Sequence, residues 1–316
     1  MTNEQEAARY AVERLLRERW SFEVITHQQP DEDAVGSARG LGLALASMGK
    51  AVRVVFPTPI PENLDFTEGP HEDGQSDPDV SVLVDVSDSA LLGDVEPKGI
   101  LAVIDHHRGN GPPGSAAWID PSRSSCAEMV YELVTSLGAE MTPALATNLY
   151  MGVFGDTGGF MHANTNREVF RVAYELVCHG ADPHAVAYRI KKTRAVAFYR
   201  VLCTALCRTI REGRVMASYV THEDLAECNA RPEDASGIVE ELASLDGVDL
   251  VIFLREVAAG TVKASIRSRV KDAALRTAEA FGGGGHGLAA GCTLSGRPGE
   301  IAQRMMEEGL RWVRTA

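Results

Sequence analysis

Long apolar runs are absent from this chain, and so is an excess of basic residues. No stretch approaches the roughly 18 apolar residues that a membrane-spanning helix needs, and residues 1–20 are charged and helix-periodic, without the apolar centre of a secretion signal. Aspartate and glutamate (44) outnumber lysine and arginine (31), which gives a formal net charge of −13. We therefore expect a cytoplasmic protein that neither enters a membrane nor coats long nucleic acid through a basic surface.

Paired cysteine motifs are also missing. No C-x-x-C pair occurs among the six cysteines, which argues against zinc ribbons and disulfide frameworks, so we expect buried free thiols. No glycine-rich loop ends in Gly-Lys-Ser/Thr, and the glycine run near residue 283 does not open a strand-turn-helix unit, so neither a Walker loop nor a dinucleotide fingerprint is indicated. The cysteines are Cys126, Cys178, Cys203, Cys207, Cys228 and Cys292.

The 316 residues are long enough for two domains, each with its own core. Residues 191–194 break the hydrophobic pattern, so we predict a catalytic domain at 1–190, a linker at 191–196 and a second domain at 197–316. Strands alternate with helices in both parts. The predicted fold class is α/β, with a parallel sheet in the N-terminal domain and a smaller mixed-sheet α/β domain at the C-terminus.

Three short apolar runs, rich in β-branched residues, have the pattern of buried strands. In an open parallel sheet the carboxyl ends of the strands meet at one edge, where ligands bind. The sequence therefore predicts one cleft lined by the polar residues that follow these runs. The runs and those residues are 22–26 with His27, Asp31 and Asp33; 80–84 with Asp85; and 100–104 with Asp105, His106 and His107.

Helical patterns surround these strands. We predict a loop over 26–37 and then a helix from Ala38 to Met48, and another helix that ends at Leu137 with Ser124 as its N-cap. A helix starting at Pro143 runs into Asp156, which brings one more carboxylate to the end of an apolar element. The elements predicted in the second domain are helices at 195–209, 234–245, 273–280 and 299–314, with strands at 214–220, 249–257, 261–267 and 292–294.

Four carboxylates and two imidazoles are a suitable ligand set for two Mn²⁺ or similar ions. A bridging carboxylate holds such ions roughly 3.5–4 Å apart, and a water shared by both serves as the nucleophile in phosphoryl transfer. Asp85 follows the strand expected at the centre of the sheet, so it is the predicted bridge, while Asp105 is expected to accept a hydrogen bond from a ligand imidazole or a backbone group. The six candidate ligands are His27, Asp31, Asp33, Asp85, His106 and Asp156.

Several short motifs occur along the chain: His27-x-x-Pro30-Asp31-x-Asp33-Ala34-x-Gly36-Ser37, Asp85, Asp105-His106-His107 and Asp156-Thr157-Gly158, and then Ser265-Ile266-Arg267-Ser268, Gly282 to His286 and Ala289-Ala290-Gly291. The first four resemble the motifs of the DHH phosphoesterase superfamily, and the last three resemble the DHHA1 substrate-binding domain. The resemblance covers nearly the whole chain, and length and domain order are most similar to the nanoRNase/oligoribonuclease branch.

The resemblance implies a role for each motif residue. His107 would face the substrate phosphate and assist the leaving group, with Asp105 beside it. Arg267 and His286 would pair with a terminal phosphate, and Gly283, Gly284 and Gly285 would let backbone amides approach a phosphate or nucleotide. One Mn²⁺, with Mg²⁺ or Co²⁺ as substitutes, would bind His27, Asp31 and Asp85, and a second would bind Asp33, Asp85, His106 and Asp156.

The chain departs from the family pattern at two positions. Glu32 stands where the family usually has glycine, and Gln29 where it usually has asparagine. Because glycine relieves a strained backbone, Glu32 either adopts an ordinary conformation or adds a carboxylate near the metals. Metal preference and rate depend on which of these holds.

The expected function is Mn²⁺-dependent hydrolysis of short oligoribonucleotides to mononucleotides, with 3'-phosphoadenosine 5'-phosphate converted to AMP as a second activity. Short RNA oligonucleotides or small nucleotides are the expected partners, and the oligomeric state is left open between monomer and homodimer. The alternative enzyme is a cyclic or linear dinucleotide phosphodiesterase, whereas family II pyrophosphatases lack the glycine-histidine signature. From another class, a nucleotide-binding sensor remains open, although it would tend to lose the metal ligands that are all present here.

Overall fold

The computed structural model of the chain describes residues 2–70, 77–107, 114–192, 194–285 and 287–313. Two compact units, Met1–Thr193 and Arg194–Ala316, divide the chain, and each is an α/β unit, as predicted. The exact domain boundaries stay a prediction, and residue 193 of the predicted linker lies outside the described residues. Within those residues, none of the helices has both the length and the apolar character needed to cross a membrane.

A five-stranded parallel sheet forms the centre of the first unit. Its strands are β1 (Ser21–Ile25), β2 (Ala51–Val55), β3 (Val80–Val84), β4 (Ile100–Asp105) and β5 (Ala116–Ile119). The order β2-β1-β3-β4-β5 places β3 at the centre, and the direction of strand succession reverses between β1 and β3. Such a switch point leaves a crevice at the carboxyl ends of the two strands.

Helices cover one face of this sheet. They are α1 (Asn3–Glu18), α2 (Glu32–Ser47), α3 (Cys126–Leu137), α4 (Pro143–Asp156), α5 (Arg167–Cys178) and α6 (Pro183–Lys192). Their apolar side chains join those of the strands in the main core, which includes the fully buried Trp118. A smaller cluster on the opposite face contains Ile25, Leu83 and Val103, against which Leu92 packs from a short 3-10 turn.

Two helix starts differ from the sequence prediction. The α2 helix begins at Glu32 rather than Ala38, because the Asp31 side chain accepts hydrogen bonds from the amides of Asp33 and Ala34 at 3.1 and 3.0 Å. The predicted loop is therefore shorter, and Asp33 lies in the first helical turn. In α3 the N-cap is the neighbouring Ser125 instead of Ser124, whose hydroxyl donates to Glu128.

A six-stranded mixed sheet forms the second unit. Its elements are α7 (Val196–Cys207), β6 (Ile210–Glu212), β7 (Val215–Val220), α8 (His222–Glu227), α9 (Ile238–Ala243), β8 (Leu250–Ala258), β9 (Thr261–Ser268), α10 (Ala273–Glu279), β10 (Gly284–Gly285), β11 (Ala289–Ser295) and α11 (Pro298–Val313). The order is β10-β11-β9-β8-β7-β6, in which β7 and β8 are parallel and the other pairs antiparallel. Apolar residues of α10 and α11 pack on one face, and those of α7, α8 and α9 on part of the other.

The second unit also corrects several predictions. The helix predicted over 234–245 is wrong, because Gly237 has a φ of +88° and separates a 3-10 turn from the short α9. Strands β6 and β10 and helix α8 were not predicted. All six cysteines are free, but the prediction that they are buried is wrong for Cys178, Cys203 and Cys207, which are exposed on α5 and α7.

Glycines bring α2 and α4 into close contact. A Cβ added to Gly36 would lie 2.3 Å from the Asn148 carbonyl oxygen, and one on Gly152 would lie 2.7 Å from Asp33 Oδ1. A Cβ on Gly155 would meet the Glu32 side chain at 2.3 Å. The helices therefore approach along a surface without side chains, and this contact fixes the distance between the start of α2 and the end of α4.

Gly36→Ala should destabilise the first unit, because the added Cβ meets backbone atoms of α4. Those atoms cannot move aside without shifting the whole helix. We expect the free energy of unfolding to fall by about 1–3 kcal/mol in denaturant titration, despite the roughly 1 kcal/mol that alanine gains in a helix. Gly40→Ala in the same helix is the matched control, since its added Cβ meets side-chain atoms of Leu149 and Asn148 and no backbone atom among its nearest neighbours. Equal effects of the two substitutions would contradict the close-contact explanation.

Candidate metal centre

The structure brings all six predicted metal ligands to the carboxyl edge of the parallel sheet. One ligand follows each of β1, β3 and β4, two come from the start of α2, and one is the last residue of α4. This edge contains the switch point between β1 and β3, where ligands bind in parallel α/β sheets. In chain order these residues are His27, Asp31, Asp33, Asp85, His106 and Asp156.

Their donor atoms form two groups that Asp85 connects. The donors of His27, Asp31 and Asp85 lie within 4.8 Å of one another, as do those of Asp33, His106 and Asp156. Asp85 Oδ2 is 3.5 Å from His27 Nε2, and Asp85 Oδ1 is 3.6 Å from His106 Nε2. One carboxylate thus presents an oxygen to each group, which is the arrangement a bridging ligand requires.

Two buried polar atoms at this centre have no hydrogen-bond partner within the described residues: Asp85 Oδ1 and His106 Nε2. Asp156 Oδ2 lies 3.0 Å from His106 Nε2 without hydrogen-bond geometry. Leaving such groups unpaired costs about 1–3 kcal/mol each, and more for a charged one. A divalent cation between these atoms would satisfy both, so the residues present fit a metal ion.

Asp33 is held in place by the start of α3. Its Oδ1 accepts from the Ala127 amide at 2.9 Å and from the Ser37 hydroxyl at 3.0 Å, and its Oδ2 accepts from the Cys126 amide at 2.6 Å. These amides belong to the first turn of a helix, where the dipole favours a negative charge. Asp33 is fully buried, so this anchoring fixes one ligand of the second group. The sequence prediction did not identify the α3 amides, which leave no signature in residue identity.

Asp85 adopts an unfavourable backbone conformation. Its φ of +59° lies in the left-handed region that few residues other than glycine adopt, and its amide donates to the Ile104 carbonyl at 3.0 Å. Strain of this kind costs about 1–3 kcal/mol and occurs mainly at functional sites. Here it turns the carboxylate at the end of β3 toward both groups of ligands.

The two departures from the family pattern have different structural outcomes. Glu32 is the first residue of α2 and has an ordinary helical backbone, so glycine is not required there, and Glu32 is absent from the ligand groups found in the described residues. Gln29 has a φ of +53°, and its amide donates to Thr58 Oγ1 at 2.7 Å. Asparagine adopts that conformation more readily, which accounts for the family residue at this position.

The buried charged groups at the centre shift one another's pKa values. Burial raises the pKa of Asp33 well above its ordinary value, and the nearby carboxylates of Asp85 and Asp156 raise it further. Burial alone would also raise the pKa of Asp85, but the surrounding imidazoles hold it well below its usual range. For His27 and His106 burial favours the neutral ring, yet the adjacent carboxylates prevail and raise both pKa values to about 9. Without cations, protons on the histidines compensate the acidic cluster.

His107 forms a third group of possible ligands with Asp85 and His106, and Asp105 orients its ring. Its Nδ1 is 2.9 Å from Asp105 Oδ1, and its amide donates to the same oxygen at 3.1 Å. Asp105 is 1% exposed, whereas the His107 side chain is 31% exposed. Asp105 thus accepts a hydrogen bond from an imidazole and a backbone group. The imidazole is that of His107, which is not one of the six predicted ligands and which also lies 3.3 Å from Asp85 Oδ1.

Two residues that the sequence did not single out hold the end of α4. His162 Nδ1 lies 3.1 Å from the Asp156 carbonyl oxygen, and Asn164 Nδ2 donates to that oxygen at 3.2 Å. Asn164 also donates to the Ser124 carbonyl at 3.0 Å, which joins the end of α4 to the segment before α3. The only available signal was their position shortly after Asp156.

The residues predicted to bind substrate lie in the second unit. Arg267, on β9, forms an ion pair with Glu240 at 2.7 Å. Gly284 and Gly285 pair with β11, and a Cβ on Gly283 would lie 2.3 Å from the Gly291 carbonyl oxygen. At Gly283 and Gly285 the glycine is therefore required by the neighbouring strand of the chain itself, whereas Gly284 borders open space. His286 lies outside the described residues.

The chain is similar to known proteins over most of its length. Residues 21–153 match the DHH family, N-terminal domain, and residues 212–313 match the DHHA1 domain. The bifunctional oligoribonuclease and PAP phosphatase NrnA of Thermus thermophilus is 34% identical over 303 residues, which cover 91% of this chain and 88% of that protein. The Bacillus subtilis protein of the same description is 27% identical, covering 85% of this chain and 87% of that protein.

The chain is also similar to a solved structure over nearly its whole length. The crystal structure of an exopolyphosphatase-related protein from Bacteroides fragilis has a TM-score of 0.87 and 25% identity, with 97% of this chain and 96% of that chain covered. The comparisons and the ligand groups together identify a metal-dependent hydrolase. The chain belongs to the DHH family and carries a C-terminal DHHA1 domain.

Metal affinity should increase with pH. In the metal-free protein His27 and His106 have pKa values of about 9, so near neutral pH both rings are protonated and an incoming cation must displace the protons. Calorimetric titration with Mn²⁺ in buffers of different ionisation enthalpy should show proton release near neutral pH and tighter binding as pH approaches 9.

His179→Gln is the matched control, because His179 is an exposed residue at the end of α5, outside the ligand groups. It should leave both the proton release and the pH dependence unchanged. An affinity for Mn²⁺ that stays constant from pH 6.5 to 8.5 in the unmodified protein would show that the histidines are not ligands.

Proposed function

We propose that this chain is a Mn²⁺-dependent phosphoesterase that hydrolyses short oligoribonucleotides to mononucleotides and removes the 3'-phosphate of 3'-phosphoadenosine 5'-phosphate. The main support is the Asp85 carboxylate, whose two oxygens face two separate groups of ligand atoms. Relatives described as bifunctional oligoribonucleases and PAP phosphatases match over most of their length. Both activities require attack of water on a phosphorus atom, so one centre is sufficient for them.

The ligand set supports Mn²⁺ in particular. Carboxylates favour hard cations, and imidazoles increase the affinity for transition metals. One ion would be held by His27, Asp31 and Asp85, and the other by Asp33, Asp85, His106 and Asp156, with Mg²⁺ or Co²⁺ as substitutes. When bound, the ions supply a water nucleophile at neutral pH and neutralise charge on the phosphate.

The protein's own residues provide orientation and proton transfer. Amides of Cys126 and Ala127 fix Asp33 before substrate arrives, so no reorganisation is needed during the reaction. Asp105 engages Nδ1 of His107, and the opposite ring nitrogen, Nε2, would then face the substrate and protonate the departing oxygen. We therefore assign leaving-group assistance to His107 and its orientation to Asp105.

The C-terminal domain would bind the end of the substrate. Arg267 is the residue we assign to a terminal phosphate, because a guanidinium matches phosphate oxygens with two parallel hydrogen bonds. Its ion pair with Glu240 is partly exposed, with side-chain exposures of 34% and 46%, so a phosphate can compete for the same donors. His286 and the glycine run are assigned to the same end of the substrate from the family resemblance.

A substrate panel tests this function. The Mn²⁺-loaded protein should release mononucleotides from an RNA pentamer and AMP from 3'-phosphoadenosine 5'-phosphate. Asp85→Asn should lower the initial rates by roughly three orders of magnitude, or about 4 kcal/mol of transition-state stabilisation, since the bridging charge is lost without a change in shape. Product formation is followed by anion-exchange chromatography.

Asp88→Asn is the control, because Asp88 caps a 3-10 turn in the same unit and asparagine caps equally well. Its rates should match those of the unmodified protein. Faster cleavage of a cyclic or linear dinucleotide than of the pentamer would assign the chain to a dinucleotide phosphodiesterase instead. Tight nucleotide binding without hydrolysis of any substrate would indicate a sensor and contradict the proposal.

A further inference from the structure

One face of the C-terminal sheet carries a row of cations. Side chains alternate along β9, so Lys263 and Arg267 share a face, while Ile266 belongs to the core beneath α10 and α11. Arg255 of β8 is paired directly with Lys263 in the antiparallel register, and it therefore lies on the same face. Three basic side chains thus occupy one side of two adjacent strands.

The Arg255 and Lys263 pair is electrostatically unfavourable as it stands. Like charges directly opposite each other destabilise a sheet, and within the described part of the chain neither residue forms an ion pair with a carboxylate. Arg255 donates to the Pro232 carbonyl oxygen, and Glu233 acts on it only at longer range. Burial lowers the pKa of Lys263, and the Arg255 guanidinium lowers it further.

The nearest acid on the strand itself faces away from this pair. Glu256 is paired with Val262 in the register, and it accepts hydrogen bonds from the amides of His222 and Gly260, at 3.0 Å each. Arg255 and Lys263 are therefore available to an anionic ligand, because within the described residues only Glu233 acts on Arg255, and at longer range than an ion pair.

Ser265 lies between Lys263 and Arg267 on β9. Its register partners are Gly291 on β11 and the buried Phe253 on β8. Gly291 cannot carry a side chain, because a Cβ there would lie 2.8 Å from the Ala264 carbonyl oxygen. Lys263 and Arg267 lie four residues apart on the strand, or roughly 13 Å between their backbones, and Arg267 forms an ion pair with Glu240. A ligand with two phosphates spaced along the strand would contact both ends of the row.

We propose that Arg255 and Lys263 form a second anion subsite that binds a non-scissile phosphodiester of the oligoribonucleotide backbone, apart from the terminal phosphate assigned to Arg267. This inference rests on the proposed function. The subsite contacts phosphate oxygens and no base, so it adds affinity for longer substrates without selecting a sequence. It favours oligonucleotides over single nucleotides in binding.

Salt dependence of RNA binding tests the subsite. An end-labelled RNA pentamer is titrated with protein in EDTA, which prevents hydrolysis, and fluorescence anisotropy gives the affinity at several KCl concentrations. Lys263→Gln should reduce the slope of log affinity against log salt by about 0.7, the value for one phosphate contact on a single strand. Lys263→Arg should restore the slope because the charge is kept.

Arg297→Gln is the matched control, because Arg297 is a highly exposed cation near the start of α11 that pairs with Glu300 at 3.6 Å. It should leave the slope unchanged. AMP, which has a single phosphate, should bind equally well to the unmodified protein and to Lys263→Gln. A loss of AMP affinity equal to the loss for RNA would overturn the assignment to a backbone phosphate.

Failure of the subsite and failure of the proposed function give different results. If the unmodified protein binds and, with Mn²⁺, hydrolyses the pentamer while Lys263→Gln keeps the full salt slope, the subsite is wrong and the function stands. If the unmodified protein neither binds nor hydrolyses the pentamer, the proposed function is wrong and the subsite falls with it.

Discussion

The first unit depends on one constraint, the repulsion between aspartate side chains. These side chains lie close together at the C-terminal ends of the parallel strands. Asp33 and Asp85 are 0% and 3% exposed, so water cannot screen them, and each is compensated by other means. Amides of the α3 helix hold Asp33, and imidazoles surround Asp85. Cations with a double charge are the natural remaining partners, because clustered carboxylates become favourable once such ions lie between them.

The fold supplies this arrangement through backbone geometry more than through side-chain packing. The switch point between β1 and β3 opens a crevice, a left-handed φ turns Asp85 into it, and a glycine contact at Gly36 and Gly152 brings α4 close enough to contribute Asp156. The second unit instead carries three basic residues, Arg255, Lys263 and Arg267, on one face of its sheet. The acids proposed to bind cations and the bases proposed to bind phosphates are therefore found in separate units.

Much of the centre was predictable because β-branched runs followed at once by histidine or aspartate locate the strand ends, as at His27 and Asp85. The start of α2 could not be predicted in the same way. Its first residues are polar and have the composition of a loop, but the Asp31 cap allows them to form helix. The α3 amides that hold Asp33 and the glycines between α2 and α4 depend on tertiary contacts, which no local pattern encodes. In the second unit, the apolar residues of the sequence keep a helical period across Gly237, which predicted one helix. The left-handed backbone of Gly237 interrupts that helix.

Electron paramagnetic resonance of the Mn²⁺-titrated protein tests the central claim most directly, because exchange coupling between two ions is carried by a ligand that bridges them. The signal of isolated Mn²⁺ should appear first and then diminish as the second ion binds and couples through Asp85. In Asp85→Asn the coupled state should be lost. Two bound ions with independent, uncoupled spectra in the unmodified protein would contradict the account of Asp85 as the bridge.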